Sequence, residues 1–401
     1  DDEDLFDNED LLDDKNFLDD EYISFDISEP KPTKVRWLDD LKTTLQHRFA
    51  REPGATLIQQ SSVRLEYERS PGPGWYIRAD DQYRYFWHND NLAVRRGKAY
   101  GQNKWQELWL QYSQGACAIK AGRQKLIWGE VEGTFAVDIV TAFDFTEQLL
   151  TDYGNIRLAQ DMLFSECFLD DLQTQLFFVP DARTDTLYHD ASQLPEIDQS
   201  VATGSEWGGQ LKFSFQGGDI TMMAASLHGN QAVLVPKGHG LVSEIADFEL
   251  VGLSSSLAIR RLLLKMDIGY KTDQLIALSE QTSNRLDIAF GFEYTTTTNH
   301  NLNGGLWTIH YLDGGTAPDA TQIITSGWSN TWLNDDLSVS LLANWIIDPK
   351  SVLVTLLTEY QWDDFWNMSA AVGLADVDNG GATPLNSQPD ELLTLAVKYE
   401  F

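Results

Sequence analysis

Histidines and carboxylate pairs are the residues of this chain that could act on a substrate or hold a metal. Some hydrolases use a serine activated by a histidine, but no candidate histidine lies beside a recognisable serine motif, and no Gly-x-Ser-x-Gly occurs. The acidic pairs Asp13-Asp14 and Asp19-Asp20 lack the spacing and the glycine of an EF-hand calcium loop. We therefore predict a protein that is not an enzyme and that binds no metal or cofactor. The candidate histidines are His228, His239, His300 and His310.

Charged residues alternate with other residues in two early segments. Arg64 and Glu66 share one parity, as do Arg78, Asp80 and Arg84, so each set lies on one face of an extended strand. In a membrane protein, Arg or Lys facing lipid at the midplane costs about 2–4 kcal/mol, so these faces should point inward. They either line a lumen that guides a polar or amphipathic permeant, or they simply pair with one another across neighbouring strands.

The elements that would position these residues are strands. Segments of about ten to twelve residues with the same alternation recur along the chain, bounded by Gly, Asn, Asp or Pro. Their less apolar faces carry Lys265, Asp267, Asp287 and Glu293. Short connections alternate with mostly long ones, which is typical of an up-and-down outer-membrane barrel. We predict an all-β protein, a transmembrane antiparallel β-barrel of about 18 strands over residues 41–401, with 16 strands as the alternative.

The chain ends in a strand of this kind, whose apolar residues share one parity and whose last residue is Phe401. This ending resembles the closing strand of Gram-negative outer-membrane barrels, where a terminal Phe is the recognition signal for the barrel assembly machinery. The resemblance implies a bacterial outer-membrane location, with short periplasmic turns, long extracellular loops and both termini in the periplasm. The residues that share the parity are Leu393, Leu395, Val397, Tyr399 and Phe401.

Composition narrows the choice of partners. The formal net charge is −32 at pH 7, and nucleic-acid binding depends on Lys and Arg that neutralise phosphates, so we expect no nucleic acid. No run approaches the ~18 consecutive apolar residues of a membrane helix. The 13 Trp and 14 Tyr suit a membrane interface, and outer-membrane lipids are partners that such a barrel would have.

A Gly-rich, aromatic stretch between residues 120 and 144 is the most distinctive in the chain. Gly129 and Gly133 permit positive φ, so this loop can fold back sharply into the lumen. Gly122-Arg123-Gln124 followed by Trp128-Gly129-Glu130 resembles a proteobacterial outer-membrane β-barrel family of unknown function. The match departs from that family's Asn-Pro turn at Thr141-Ala142-Phe143-Asp144.

The resemblance implies a transport function. Members of that family often accompany an RND-superfamily inner-membrane exporter of lipids and a periplasmic carrier protein, so we expect movement of a small amphipathic or lipid-like molecule across the outer membrane. The resemblance assigns no specific role to the motif residues Arg123, Gln124, Trp128 and Glu130. They either shape a constriction of the lumen or have a purely structural role. The alternatives are a diffusion porin for small solutes and a plugged barrel that acts as an interaction anchor.

Residues 1–40 form an acidic N-terminal segment. Residues 1–29 contain fourteen Asp or Glu against Lys15 alone, a charge density typical of a disordered tail. The interleaved large apolar groups instead suit docking on a periplasmic partner. The docking candidates are Leu5, Phe6, Leu11, Leu12, Phe17 and Leu18.

The only two cysteines fall in neighbouring predicted strands. Cys117 begins one strand and Cys167 nears the end of the next, so antiparallel pairing brings both to the same rim. An oxidising periplasm allows a disulfide between them, and two free thiols are the alternative.

Overall fold

The strands of this chain form a sheet that closes on itself. The computed structural model describes residues 40–90, 99–145, 156–186, 204–238, 240–313, 320–347, 350–377 and 390–401. Within them, 18 strands form one sheet and two more form a separate hairpin. The strands are β1 (Leu41–Glu52), β2 (Ala55–Gly72), β3 (Trp75–Asn89), β4 (Tyr100–Gln114), β5 (Cys117–Gln124), β6 (Gln160–Leu169), β7 (Leu172–Val179), β8 (Glu206–Phe215), β9 (Gly218–His228), β10 (Val233–Lys237), β11 (Gly240–Glu244), β12 (Asp247–Ile259), β13 (Leu262–Leu275), β14 (Thr282–Thr295), β15 (Asn301–Tyr311), β16 (Ala320–Trp332), β17 (Leu337–Ile346), β18 (Ser351–Gln361), β19 (Trp366–Val377) and β20 (Glu391–Glu400).

Closure occurs where the first strand meets the last. Strand β1 pairs antiparallel with both β2 and β20, and the amide N–H groups of Thr43 and Phe401 each donate to the other's carbonyl, at 2.9 and 3.0 Å. Each remaining barrel strand pairs with its neighbours in the chain, and β9 pairs with β12 across the β10–β11 hairpin. The predicted all-β, 18-strand antiparallel barrel is therefore confirmed.

The connections differ between the two rims. On the rim that carries Phe401, every turn is short, from the Gly115 turn between β4 and β5 to residues 296–300 between β14 and β15. On the opposite rim, the connections include residues 125–159 and 180–205, although the turn at residues 53–54 is short there too. The long connections can therefore enter the lumen from one end only.

Side chains alternate between the two faces of the wall. On β14, Phe290 and Phe292 are exposed on the outer surface, whereas Asp287 and Ala289 are fully buried on the inner face. This alternation gives the barrel an apolar exterior and a polar lumen, as a membrane-spanning barrel requires. None of the described residues forms a helix long and apolar enough to cross a membrane.

Some sequence predictions fall outside the described residues. Residues 1–39 of the acidic N-terminal segment, which include its six docking candidates, lie there together with His239, so the structure does not test them. The β10–β11 hairpin, in contrast, was not predicted, because its two short strands lie within what the sequence indicates only as a loop.

Candidate functional site in the barrel lumen

The connection after β5 crosses the lumen and reaches the far wall. We call residues 125–145 the inserted loop. Near its start, Trp128 packs edge to face against Phe177 of β7, with ring centroids 5.3 Å apart. Further along, Phe135 packs in the same way against Trp307 of β15 at 5.7 Å. The loop therefore narrows the lumen, as the two glycines of its sequence suggested.

Asp267 of β13 anchors the turn of the inserted loop. Its carboxylate accepts the backbone N–H groups of Glu130, at 3.0 and 3.1 Å, and of Val131, at 2.8 Å. A Cβ on Gly129 would lie 2.8 Å from this carboxylate, and the φ of Gly129 is +87°, so the close approach needs glycine. Asp267 was predicted to face the lumen, and it does so by binding the loop backbone.

A second anchor lies beside the first. Lys271 of β13 donates to the Phe135 carbonyl at 2.8 Å and to Asp287 of β14 at 2.6 Å, and Asp287 also accepts both ends of the Arg285 guanidinium, at 2.8 and 2.6 Å. The carboxylate and the ammonium are almost fully buried. Asp287 therefore supports Lys271, the residue that anchors the loop. Because its carboxylate is buried and bound by two cations, little of its charge is available to a solute.

Apolar side chains fill the space between the inserted loop and the wall of β6–β12. Trp128 and Val137 belong to this cluster and are almost fully buried. On the far wall, a Cβ on Gly269 would lie 2.2 Å from the Ala136 carbonyl oxygen. The inserted loop therefore packs closely against the wall of β6–β13. The buried members of the cluster are Leu126, Trp128, Val137, Val140, Met162, Phe164, Phe177, Val179, Ala182, Met223, Ala225, Leu227, Ala246, Phe248 and Leu250.

Cations gather on the wall opposite these anchors. Arg48 of β1, Arg84 of β3 and Lys104 of β4 lie near Asp144 at the end of the inserted loop, and we call these four residues the cation cluster. Lys104 Nζ lies 3.0 Å from Asp144 Oδ2, and the Asp144 charge also acts on both guanidinium groups. The cation cluster thus joins the end of the inserted loop to the wall of β1–β4.

Two glutamines of the wall orient the guanidinium groups of the cluster. Arg48 Nη2 donates to Gln60 Oε1 at 3.0 Å, and Arg84 Nη2 donates to Gln102 Oε1 at 3.0 Å. Arg84 also lies over the Phe86 ring, 5.5 Å from its centroid. The positions of these cations are therefore set by the wall strands as well as by the loop.

The predicted charges nearer the Phe401 rim pair across strands. Arg64 binds Asp80 through Nε at 2.8 Å and through Nη2 at 2.5 Å, and lies 3.2 Å from Glu66. Arg78 joins Glu68 at 2.5 Å and Glu107 at 2.8 Å. This arrangement matches the pairing alternative for Arg64, Glu66, Arg78 and Asp80.

Other predicted lumen residues form ion pairs near the turn of the inserted loop. Glu130 lies 3.3 Å from Lys212 of β8. Lys265 of β13 contacts Glu293 of β14 and lies 3.7 Å from Glu132. The structure therefore brings Glu130, Lys265, Asp267 and Glu293 to one side of the lumen, apart from the cation cluster.

The lumen prediction is wrong for Arg123. It shares the parity of the exposed Ile119, and it pairs on the outer face with Asp161 of β6, at 3.0 and 2.9 Å. Gln124 faces inward and donates to the Met162 carbonyl at 3.2 Å. Consecutive strand residues point to opposite faces, so the Gly-Arg-Gln motif could not place both side chains in the lumen.

Asp185 joins three connections above the cation cluster. Its carboxylate accepts the Phe143 N–H of the inserted loop at 2.7 Å and the Gln231 side-chain amide at 2.9 Å, while its own N–H donates to the Asn230 carbonyl. Burial raises the pKa of Asp185 to about 7, although both donors oppose the rise.

The two cysteines are joined by a disulfide. Cys117 and Cys167 are directly paired residues of β5 and β6, with Cα atoms 4.1 Å apart. The bond lies at the Phe401 rim, away from the cation cluster, and ties together the strand that leads into the inserted loop and the strand that follows it.

Two of the candidate histidines, His228 and His300, are hydrogen-bonded in the part of the chain that the structure describes. His228 pairs with Asp247 at 2.5 Å and accepts the Gly204 N–H at 3.1 Å, and His300 accepts the Trp328 indole N–H at 3.2 Å. No group of three or more His, Cys, Asp or Glu among those residues could hold a metal ion.

Sequence reasoning missed the residues that make the cation cluster. Arg48, Lys104 and Asp144 were not among the predicted lumen residues, and only Arg84 was. Lys104 and Asp144 are separated by 40 residues in the chain, so no local spacing signals their contact. On β1, Arg48 has the same parity as Ala50, and this was the one available indication that Arg48 faces the lumen.

Several solved structures of bacterial proteins have the same fold. OccAB3 of Acinetobacter baumannii aligns at a TM-score of 0.55 and 10% identity, over 90% of this chain and 98% of that chain. OpdK of Pseudomonas aeruginosa with vanillate aligns at 0.58 and 11%, over 91% and 99%. OccK2 (OpdF) of Pseudomonas aeruginosa in complex with glucuronate aligns at 0.55 and 11%, over 91% and 99%.

The fold is that of an outer-membrane channel barrel. At this level of identity, the likeness concerns the fold alone. No family model and no curated protein matches the sequence.

Proposed function

We propose that this protein is an outer-membrane channel for small organic anions. The observation that carries the proposal is the cation cluster, in which Arg48, Arg84 and Lys104 lie on the inner face of β1, β3 and β4 beside the end of the inserted loop. Fixed donors in a narrow, partly desolvated passage favour a permeant of opposite charge. Outer-membrane location, with the Phe401 rim in the periplasm, belongs to the same proposal, and the short turns on that rim and the longer connections on the other support it.

The solved neighbours support the choice of a small solute. The structures of OpdK and OccK2 were obtained with vanillate and glucuronate, which are both small carboxylates. A carboxylate is the group that paired guanidinium and ammonium donors recognise best. Vanillate and glucuronate are therefore suitable probes for this chain, whatever its natural solute.

Movement of a lipid-like molecule with an RND-type exporter is our second candidate. The resemblance at Gly122-Arg123-Gln124 and Trp128-Gly129-Glu130 is what favours it. The charged wall and the apolar packing behind the inserted loop support this second candidate less than they support an anion channel, because a lipid chain would have to pass the cation cluster. Co-purification of an inner-membrane exporter or a periplasmic carrier, lost on deletion of residues 1–29, would support this candidate and the docking role of the acidic segment.

Uptake into liposomes tests the proposed channel. Vesicles containing the purified protein should take up vanillate faster than vanillyl alcohol, which has the same ring and no charge. Lys104→Gln should lower the uptake of vanillate roughly fivefold and leave that of vanillyl alcohol unchanged, because one attractive charge is lost. Lys237→Gln, which removes a cation from the β10–β11 hairpin, is the matched control. Equal uptake of the two compounds by the unaltered protein would contradict the proposal.

A further inference from the structure

A groove on the outer face of the barrel lies beside the seam where β1 meets β20. Its volume is about 500 Å³, and its floor carries two polar residues, His47 and Ser61. We infer that this groove binds a diacyl phospholipid whose ester carbonyl accepts a hydrogen bond from His47. The inference needs the membrane setting of the proposed function but not its anion selectivity. We call this feature the outer groove, and its lining includes Leu45, His47, Ser61, Tyr83, Val397 and Tyr399.

The parity of its residues places the outer groove on the surface that faces lipid. Leu45, Val63 and Tyr83 are exposed, and His47 has the same parity along β1 as Leu45. The next residue of β1, Arg48, is almost fully buried on the inner face. Because the outward apolar band of a membrane barrel contacts hydrocarbon, the occupant that this surface meets is a lipid.

Aromatic side chains give the outer groove its shape. A Cβ on Gly101 of β4 would lie 2.1 Å from the Tyr83 hydroxyl oxygen, so the Tyr83 ring leans over Gly101 and away from β2. At the other end, Trp366 and Tyr399 pack together with ring centroids 4.8 Å apart. They lie at the Phe401 rim, and aromatic residues at such rims lie at the level of the lipid headgroups. The groove therefore runs from the headgroup level toward the middle of the wall, as an acyl chain does.

The hydrogen bonds of Ser61 determine which nitrogen of His47 can donate. The Trp87 indole N–H donates to Ser61 Oγ at 3.0 Å, and Ser61 Oγ lies 3.0 Å from His47 Nδ1. Since the Trp87 group can only donate, the Ser61 hydroxyl has its own hydrogen available for Nδ1. The neutral His47 ring then carries its proton on Nε2, and none of the described residues accepts a hydrogen bond from that atom.

The depth of His47 suits an ester carbonyl. His47 pairs with Val397, two residues before Tyr399 on β20, which places it about 7 Å along the strand from the aromatic rim. An N–H without a partner is unfavourable in hydrocarbon, so an oxygen acceptor stabilises it. The ester groups of a phospholipid lie just inside its headgroup, whereas its phosphate lies farther out. A carbonyl oxygen is therefore the lipid atom expected at His47 Nε2.

Native mass spectrometry of the full chain in detergent micelles tests the site with two probes. One is palmitoyl-oleoyl phosphatidylethanolamine, and the other is a phosphatidylethanolamine with ether-linked chains, which keeps the phosphate but has no ester carbonyl. The unaltered protein should bind one ester lipid roughly fivefold more tightly than the ether lipid, because one hydrogen bond is lost. His47→Leu should abolish this preference, and His47→Gln, which retains an N–H donor, should keep much of it. Met222→Leu, on the outer face of β9 across the barrel, is the matched control.

Equal binding of the two lipids by the unaltered protein would overturn the inference, because the phosphate or the chains alone would then explain the binding. An ester preference that survives His47→Leu would overturn it as well. A dimer that is lost on His47→Leu would instead assign the outer groove to a second copy of the chain. Should His47→Leu not give a folded barrel, Ser61→Ala decides, because it removes the group that fixes the His47 proton. An ester preference unchanged by Ser61→Ala would contradict the inference, and none of these outcomes depends on anion selectivity.

Discussion

At the scale of single residues, buried carboxylates have separate tasks in this lumen. Asp267 binds backbone N–H groups of the inserted loop, Asp287 neutralises Lys271 and Arg285, and Asp144 faces the cation cluster. Only the inward direction of Asp267 and Asp287 could be predicted, because alternation along a strand gives the face of a residue but not its partner. The loop partner of Asp267 lies far away in sequence, since Glu130 and Asp267 are 137 residues apart.

The carboxylate of Asp267 should determine whether the inserted loop stays docked. Asp267→Asn replaces one acceptor oxygen by a donor that faces backbone N–H groups, and hydrogen bonds to a charged group contribute about 1.5–3 kcal/mol. We expect faster amide exchange in residues 129–133 and a larger single-channel conductance. Glu293→Gln, which alters a more exposed partner of Lys265, is the control. Unchanged exchange in residues 129–133 would show that the anchor is unimportant.

The stability of the contacts that Asp185 makes with the three connections should depend on pH. Burial raises the pKa of Asp185 to about 7, so the carboxyl keeps its proton while its contacts with the three connections are intact. When these contacts open and the carboxyl is hydrated, it loses the proton near its ordinary pKa of 3.8. The contacts of Asp185 are therefore most stable below about pH 4, and their free energy of opening falls by roughly 1 kcal/mol per pH unit until about pH 7. Amide exchange in residues 180–186, corrected for intrinsic rates, should be slower at pH 5 than at pH 8. Asp185→Asn should remove this dependence, and a dependence that survives the substitution would assign it to another group.

At the scale of elements, period-2 alternation was sufficient to predict the barrel. Asp81 breaks the alternation of charged residues that Arg78, Asp80 and Arg84 set, which predicts an irregularity, and the register between β3 and β4 shifts between Asp80 and Asp81. The path of the inserted loop could not be predicted, because it is fixed by contacts such as that of Lys271 with the Phe135 carbonyl. Strand patterns are local, whereas loop docking depends on residues that are distant in sequence.

Gly269 should allow the inserted loop to lie against β13. An added Cβ would meet the Ala136 carbonyl oxygen at 2.2 Å, so Gly269→Ala should push the loop off the wall while the β13 pairing persists. We expect a normal heat-dependent shift of the folded barrel on gels, with faster amide exchange in residues 135–138. Gly240→Ala, where a Cβ meets nothing within 4 Å, is the control. Protection of residues 135–138 equal to that of the control would contradict the packing argument.

At the scale of the whole molecule, the net charge of the chain differs from the charge of one part of its inner face. The net charge is −32, whereas Arg48, Arg84 and Lys104 place cations on the inner face of β1, β3 and β4. Fourteen of the acids fall within residues 1–29, which precede the first strand of the barrel. The proposed anion selectivity is therefore compatible with the net charge, because a permeant responds to the charges that line its path.

The reversal potential of the unaltered protein in a planar bilayer, under a KCl gradient at neutral pH, tests the central claim most directly. The cation cluster predicts a potential that reports preferential passage of chloride, and Lys104→Gln should shift it toward that of a non-selective pore. Preferential passage of potassium, or a bilayer that stays silent after verified insertion, would contradict the account.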